Sequence, residues 1–163
     1  MQKILVVFYS HSKTTRSLAE EIALLTDGDL RELIPEKPYD FADHAASKQA
    51  RGEIDRGHCP PLTSGLEPLD GYTHIFIGTP NWFKSCAPPV RTFLRNAGLA
   101  GKTLIPFCTH GGGGLGNIEA CVAEACPHAA LLPGFAATAD FETQQVARWL
   151  ADLGVTLSPG FLL

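Results

Sequence analysis

The sequence predicts an open α/β domain, doubly wound, with helices on both faces of a parallel sheet. Three observations carry that expectation. Short apolar runs alternate along the chain with segments of helical periodicity. Most of those runs are continuously apolar, as strands covered on both faces must be. Three of the loops that leave them are crowded with hydroxyls, aromatics or glycines, at the edge where an open sheet binds its ligands.

The chain has 163 residues, which suits one domain over 1–163 and leaves no room for a second core. It is 45% hydrophobic and 18% charged, an ordinary composition for a compact fold. A net charge of −4 offers no bulk attraction to nucleic acid or to an anionic membrane, so neither is expected as a partner. The apolar runs fall well short of the ~18 residues of a membrane span. "MQKILVVFYS" reads as a first strand and not as a leader, because no small-residue cleavage site follows it. The 5 cysteines contain no Cys-x-x-Cys pair, which suits reduced thiols and a cytoplasmic location.

Taken in order, Ile4–Tyr9 is the first strand, and "RSLAEEIALL" then repeats Leu18, Ile22 and Leu25 at helical spacing. Leu30–Ile34 is the second strand. Residues 35–70 are proline-rich and nearly aperiodic, with a helix expected only over Phe41–Arg51. A connection of that length is usually functional or mobile. His74–Gly78 is the third strand, and Pro88–Pro89 opens a helix where proline suits the first turn. Thr103–Cys108, a helix over Ile118–Cys126, and a strand over Ala130–Ala136 follow. "ETQQVARWLADLG" is the last helix, closed by Gly154. The tail "GVTLSPGFLL" is expected to fold back on the domain, with a subunit contact through Phe161, Leu162 and Leu163 as the alternative. The chain is therefore expected to be a monomer or a weak homodimer.

The first rich loop, "SHSKTT", packs four hydroxyls into six residues between a buried strand and a helix. Hydroxyl donors and free backbone N–H groups at a positive dipole end make an anion site, whereas an N-cap needs only one such residue. The second, "GTPNWFKSCAPP", places Trp82 and Phe83 in a proline-flanked loop. There they either lie against a planar ligand or pack down on the sheet edge. The third, "CTHGGGGLGN", has glycine at all but one position from 111 to 116, so its backbone can approach a ligand closely. Gly111, Gly113 and Gly116 match a dinucleotide fingerprint literally, but that loop follows the fourth strand, which argues against it. Asp140 reads as the N-cap of the last helix. Cys121, Cys126 and His128 lack a standard zinc spacing, so no metal is expected. Cys108 and His110 share a strand face without forming a nucleophile pair, and no catalytic residue is assigned.

Together "YSHSKTTR", "GTPNWFKSCAPPVRTFL" and "PFCTHGGGGLG" resemble the flavodoxin family, along nearly the whole chain. That resemblance implies a five-stranded parallel sheet of order 2-1-3-4-5 with FMN at the switch point. It puts Ser10, Ser12, Thr14 and Thr15 on the FMN phosphate, with His11 and Lys13 contributing backbone N–H groups. It puts Thr79, Pro80, Asn81, Trp82 and Phe83 along the isoalloxazine. Thr109, His110, Gly111, Gly112 and Gly113 would approach the ring's other polar edge. The chain departs from the family at Lys13-Thr14, where Gly-Asn is common. It also lacks the long-chain insertion, a strongly acidic surface, and a second stacking aromatic before Thr109.

The function implied is flavodoxin-type electron transfer between redox partner proteins. The alternative is an FMN-dependent NAD(P)H:quinone or flavin reductase of the same fold.

Overall fold

The computed structural model describes residues 1–40 and 44–161. In chain order the first half holds β1 (Ile4–Phe8), α1 (Thr14–Thr26), β2 (Asp29–Glu32), β3 (Ile34–Pro35), α2 (His44–Asp55) and β4 (Leu62–Ser64). The second half holds β5 (His74–Pro80), α3 (Pro88–Asn96), β6 (Thr103–Thr109), α4 (Ile118–Ala125), β7 (Ala130–Leu131), β8 (Phe135–Ala137) and α5 (Thr143–Asp152). The main sheet runs β2-β1-β5-β6, with β7 and β8 both lying against β6 at the far edge. All of its pairings are parallel. This is the flavodoxin-like order 2-1-3-4-5 expected from the sequence.

Alternate residues of the central strands feed two cores. Ile4, Val6 and Phe8 join Phe76, Ile105 and Phe107 under α1 and α5. Leu5, Val7 and Tyr9 join Ile75, Ile77 and Leu104 under α3 and α4. Both sets of side chains leave water, which is why the strands read as unbroken apolar runs. Pro88 and Pro89 occupy the first turn of α3, and Gly154 follows α5 in left-handed conformation, φ 77°.

Two expected strands are divided. The edge strand Leu30–Ile34 breaks at buried Leu33, whose N–H still reaches the Phe8 carbonyl at 2.7 Å. Beyond it, β3 leaves the main sheet and pairs antiparallel with β4. The run Ala130–Ala136 is interrupted by Pro133, which lacks a donor, and by Gly134. A Cβ at Gly134 would stand 2.8 Å from the Pro106 carbonyl oxygen, so the backbones touch there. Trp149 holds the break by donating from Nε1 to the Pro133 carbonyl at 3.1 Å while stacking on Phe135.

The segment between β3 and β4 is a tethered excursion, closed by the Glu36 N–H on the Pro61 carbonyl at 3.0 Å. The expected helix start at Phe41 lies outside the described residues, and α2 continues past Arg51 to Asp55. In the tail, Val155 is buried in the α1/α5 core and Phe161 packs against it. The Ser158 N–H bonds the Leu25 carbonyl at 2.7 Å. Leu162 and Leu163 lie outside the described residues. Among the described residues no helix is long and apolar enough to cross a membrane, and all five cysteines are unbridged.

Candidate functional site

The three rich loops leave β1, β5 and β6 side by side, at the carboxyl edge of the sheet. In the first, Ser10 precedes a turn that ends at Lys13, the residue capping α1. Lys13 has φ 70° and ψ −9°, the left-handed conformation that the glycine common in the family would take freely. At this departure from Gly-Asn a residue with a Cβ bears a conformation that glycine takes without strain. Among the described residues no protein acceptor takes the backbone N–H of Ser12, Lys13, Thr14 or Thr15. Orphan donors at a helix N-terminus, with the dipole behind them, form a cradle for an anion.

Side chains complete that cradle unequally. Ser12, Lys13, Thr14 and Ser17 line a small cavity of about 160 Å³ with Ala139 and Phe141. Thr15 turns inward instead: it is buried, and its hydroxyl shares a 2.7 Å hydrogen bond with that of Thr109. The Ser10 hydroxyl accepts from the Arg16 N–H at 3.2 Å. The Arg16 guanidinium reaches away, to Glu32 on β2.

In the second loop, buried Thr79 accepts the Ala87 N–H at 2.9 Å and donates to the Pro80 carbonyl at 2.8 Å. It braces the start of α3. Trp82 and Ser85 exchange two backbone hydrogen bonds across Phe83 and Lys84, whose φ values are 53° and 67°. That two-residue hairpin turn normally selects Asn-Gly; here residues with Cβ atoms bear it, and such strain gathers at functional loops. Phe83 is exposed, under the Arg51 guanidinium at 5.4 Å.

Asn81 ties the second loop to the third. Its backbone N–H donates to the Thr109 carbonyl at 2.8 Å, its Nδ2 to the Gly114 carbonyl at 2.8 Å, and its Oδ1 accepts the Lys84 N–H at 2.9 Å. The Asn117 N–H reaches the Lys84 carbonyl at 2.7 Å. Gly116, at φ 56°, passes so close that a Cβ would stand 2.9 Å from that same carbonyl oxygen. In the third loop His110 accepts the Gly112 N–H on Nδ1 at 2.9 Å, while Gly111 and Gly112 have open space where a Cβ would stand. Gly113 faces the Asn81 amide.

Trp82 is half-buried against Tyr9, Tyr39 and His11, all edge-on, with centroids at 5.5, 5.2 and 6.2 Å. The ring is packed against these neighbours, as the sheet-edge reading of its loop expects, and stays at the rim between the loops. Tyr9 and Tyr39 were not singled out from the sequence. Tyr9 lies at the strand end and its position was readable, but Tyr39 comes from the irregular excursion. The Tyr39 hydroxyl donates to Glu53 at 2.7 Å, and burial together with that contact raises its pKa. A second cavity of about 320 Å³ opens beside His110, lined also by Phe135, Thr138, Asp140, Phe141 and Gln145. Asp140 is therefore not the expected helix cap. Glu142 takes that place, in a reciprocal capping box with Gln145. Among the described residues no three His, Cys, Asp or Glu side chains converge as a metal site.

Comparison with known proteins agrees with this geometry. A suggested flavoprotein from Bacteroides eggerthii DSM 20697 superposes with a TM-score of 0.86 at 27% identity, over 96% of this chain and 100% of that one. Another, from Bacteroides uniformis ATCC 8492, gives 0.83 at 29% identity, over 92% and 98%. A flavoprotein from Lactobacillus acidophilus NCFM, determined in complex with FMN, shares the fold at 0.71 and 24% identity, over 91% and 99%. A family model described as flavodoxin matches residues 3–153, and the chain belongs to that family.

Proposed function

We propose that the chain binds FMN and serves as a flavodoxin-type electron carrier. The observation that carries this reading is the cradle of orphan N–H groups over Ser12–Thr15, set beside an aromatic rim and a glycine loop. The flavodoxin match and the FMN complex of the Lactobacillus acidophilus protein support it. When bound, FMN supplies reversible transfer of one or two electrons.

The residues then have distinct tasks. Ser10, His11, Ser12, Lys13, Thr14 and Thr15 hold the phosphate, chiefly through backbone N–H groups and the Ser12 and Thr14 hydroxyls. Thr79, Pro80, Asn81, Trp82 and Phe83 flank the ring, with Thr79 and Asn81 acting as braces because their side chains are committed to the protein. Thr109, His110, Gly111, Gly112 and Gly113 offer backbone to the opposite edge. Neither of these two stretches contains Lys or Arg, so added negative charge on the ring is disfavoured there. A reducing compartment such as the cytoplasm suits five unbridged cysteines.

The test is titration of FMN into flavin-free protein, with fluorescence as the readout. Quenched binding at about micromolar Kd or tighter is expected, and no quenching rejects the reading. The second reading, an NAD(P)H:quinone or flavin reductase, draws on the cavity beside His110, which leaves room next to the ring. Oxidation of NAD(P)H only when a separate reductase is added supports the carrier. Steady NAD(P)H oxidation with a quinone and no added protein replaces it with the reductase.

A further inference from the structure

A cavity of about 450 Å³ lies between α3 and α4, behind the Trp82–Ser85 turn. Its walls include Ser85, Arg91, Asn117, Cys121 and Glu124. Cys121 is half-buried and opens into it. Arg91 Nη2 stands 4.0 Å from the Cys121 sulfur. The Arg91 Nε is buried, and among the described residues nothing accepts its proton. A buried unpaired donor is costly, and the same guanidinium brings its Nη2 beside the Cys121 sulfur at the edge of a space large enough for a small ligand. Cys86, fully buried two residues before α3, neighbours Cys121 closely enough for the two thiols to interact.

We infer that Cys121 and Cys86 form a hydroperoxide-reactive dithiol, with Cys121 the attacking sulfur, Cys86 the resolving one and Arg91 the donor to peroxide oxygen. The inference does not depend on FMN binding. In the first step the Cys121 thiolate attacks one peroxide oxygen. The S–O bond forms, the O–O bond breaks, and the departing alkoxide or hydroxide takes a proton from solvent. Sulfur is oxidised by two electrons to sulfenic acid and the peroxide is reduced. Cys86 then attacks that sulfur; the S–S bond forms, the S–O bond breaks, and hydroxide leaves as water with the Cys86 proton.

The surroundings favour Cys121 as the attacker. The neighbouring Cys86 thiol, the Arg91 guanidinium, the Cys86 backbone N–H and the Ser85 hydroxyl outweigh burial and bring its pKa down to about 6. Cys86 is pushed well up by Cys121 beside it and by burial, with Cys108 adding to the rise and Arg91 opposing it. Burial pushes Cys108 up to about 12 and also raises Cys126, with the charge of Cys121 adding to the rise. Glu124 and Arg95 complete the charged groups at the cavity. A depressed thiol pKa means the reactive anion dominates at pH 7 and disappears as pH falls through about 6.

The test treats the full chain, as purified, with substoichiometric hydrogen peroxide and maps the product by mass spectrometry. Loss of two hydrogens with a Cys86–Cys121 crosslinked peptide is expected. Cys86→Ser should leave Cys121 as a sulfenic acid that dimedone traps. Alkylation of unmodified protein by iodoacetamide should label Cys121 with a midpoint near pH 6, and Arg91→Gln should raise that midpoint by about one unit, slowing labelling at pH 6 about fivefold. Oxidation that falls first on Cys59, or a Cys121 midpoint near that of an ordinary thiol, overturns the inference. The wild-type measurements decide it even if Cys86→Ser fails to fold.

Discussion

Lys13, Phe83 and Lys84 carry left-handed backbone at positions flanking the proposed flavin site, each at a cost of about 1–2 kcal/mol. If Lys13 serves through its N–H, the side chain is dispensable. Lys13→Gly should then stabilise the protein by about 1 kcal/mol in urea unfolding while leaving FMN affinity within about twofold. A larger loss of affinity would assign the ammonium a direct role on the phosphate. Thr79 presents the opposite case, a buried hydroxyl whose two bonds hold Pro80 and the first turn of α3. Thr79→Val leaves the Ala87 N–H without its acceptor and should cost about 1–3 kcal/mol, read from the urea midpoint at unchanged slope.

At the scale of elements, the site is held by bonds between loops as well as within them. Thr15 joins α1 to β6, Asn81 joins the loop after β5 to the glycine loop, and Asn117 anchors the foot of α4 to Lys84. Gly116 is the tight point of that lattice. Gly116→Ala must accept both a φ of 56° and a Cβ 2.9 Å from the Lys84 carbonyl oxygen. We expect a stability loss of about 1–3 kcal/mol and a loss of FMN affinity greater than that of a Gly98→Ala control. Gly98 also has positive φ, but nothing lies within 4 Å of its would-be Cβ, so comparing the two separates backbone strain from loop displacement.

For the whole molecule, a ligand that bridges three loops at the sheet edge should couple to global stability. FMN at 100 times its Kd should add about 2.7 kcal/mol, raising Tm by about 5–10 °C for a domain of this size. Thermal melts with and without FMN measure this. A shift under about 1 °C would mean that the loops do not engage the flavin together.

The alternation of buried strands with helices was legible before the fold, and the strand order followed from the resemblance to flavodoxins. Unbroken apolar runs demand cover on both faces, helical spacing between them supplies it, and hydroxyl, aromatic and glycine clusters mark the loops that need polar donors or close approach. Those are local properties of composition and period, and the chain carries them directly. Other features were decided only when distant segments met. One strand divides at Leu33, where β3 leaves the sheet to pair with β4, and another after Pro133, where the Gly134 backbone meets Pro106 of β6. Tyr39 reaches Trp82 from an excursion with little periodicity, Thr15 turns from the cradle to Thr109, and Cys121 of α4 meets Arg91 of α3. Side-chain direction and pairing depend on the packed positions of residues far apart in sequence, so only the tertiary structure determines them.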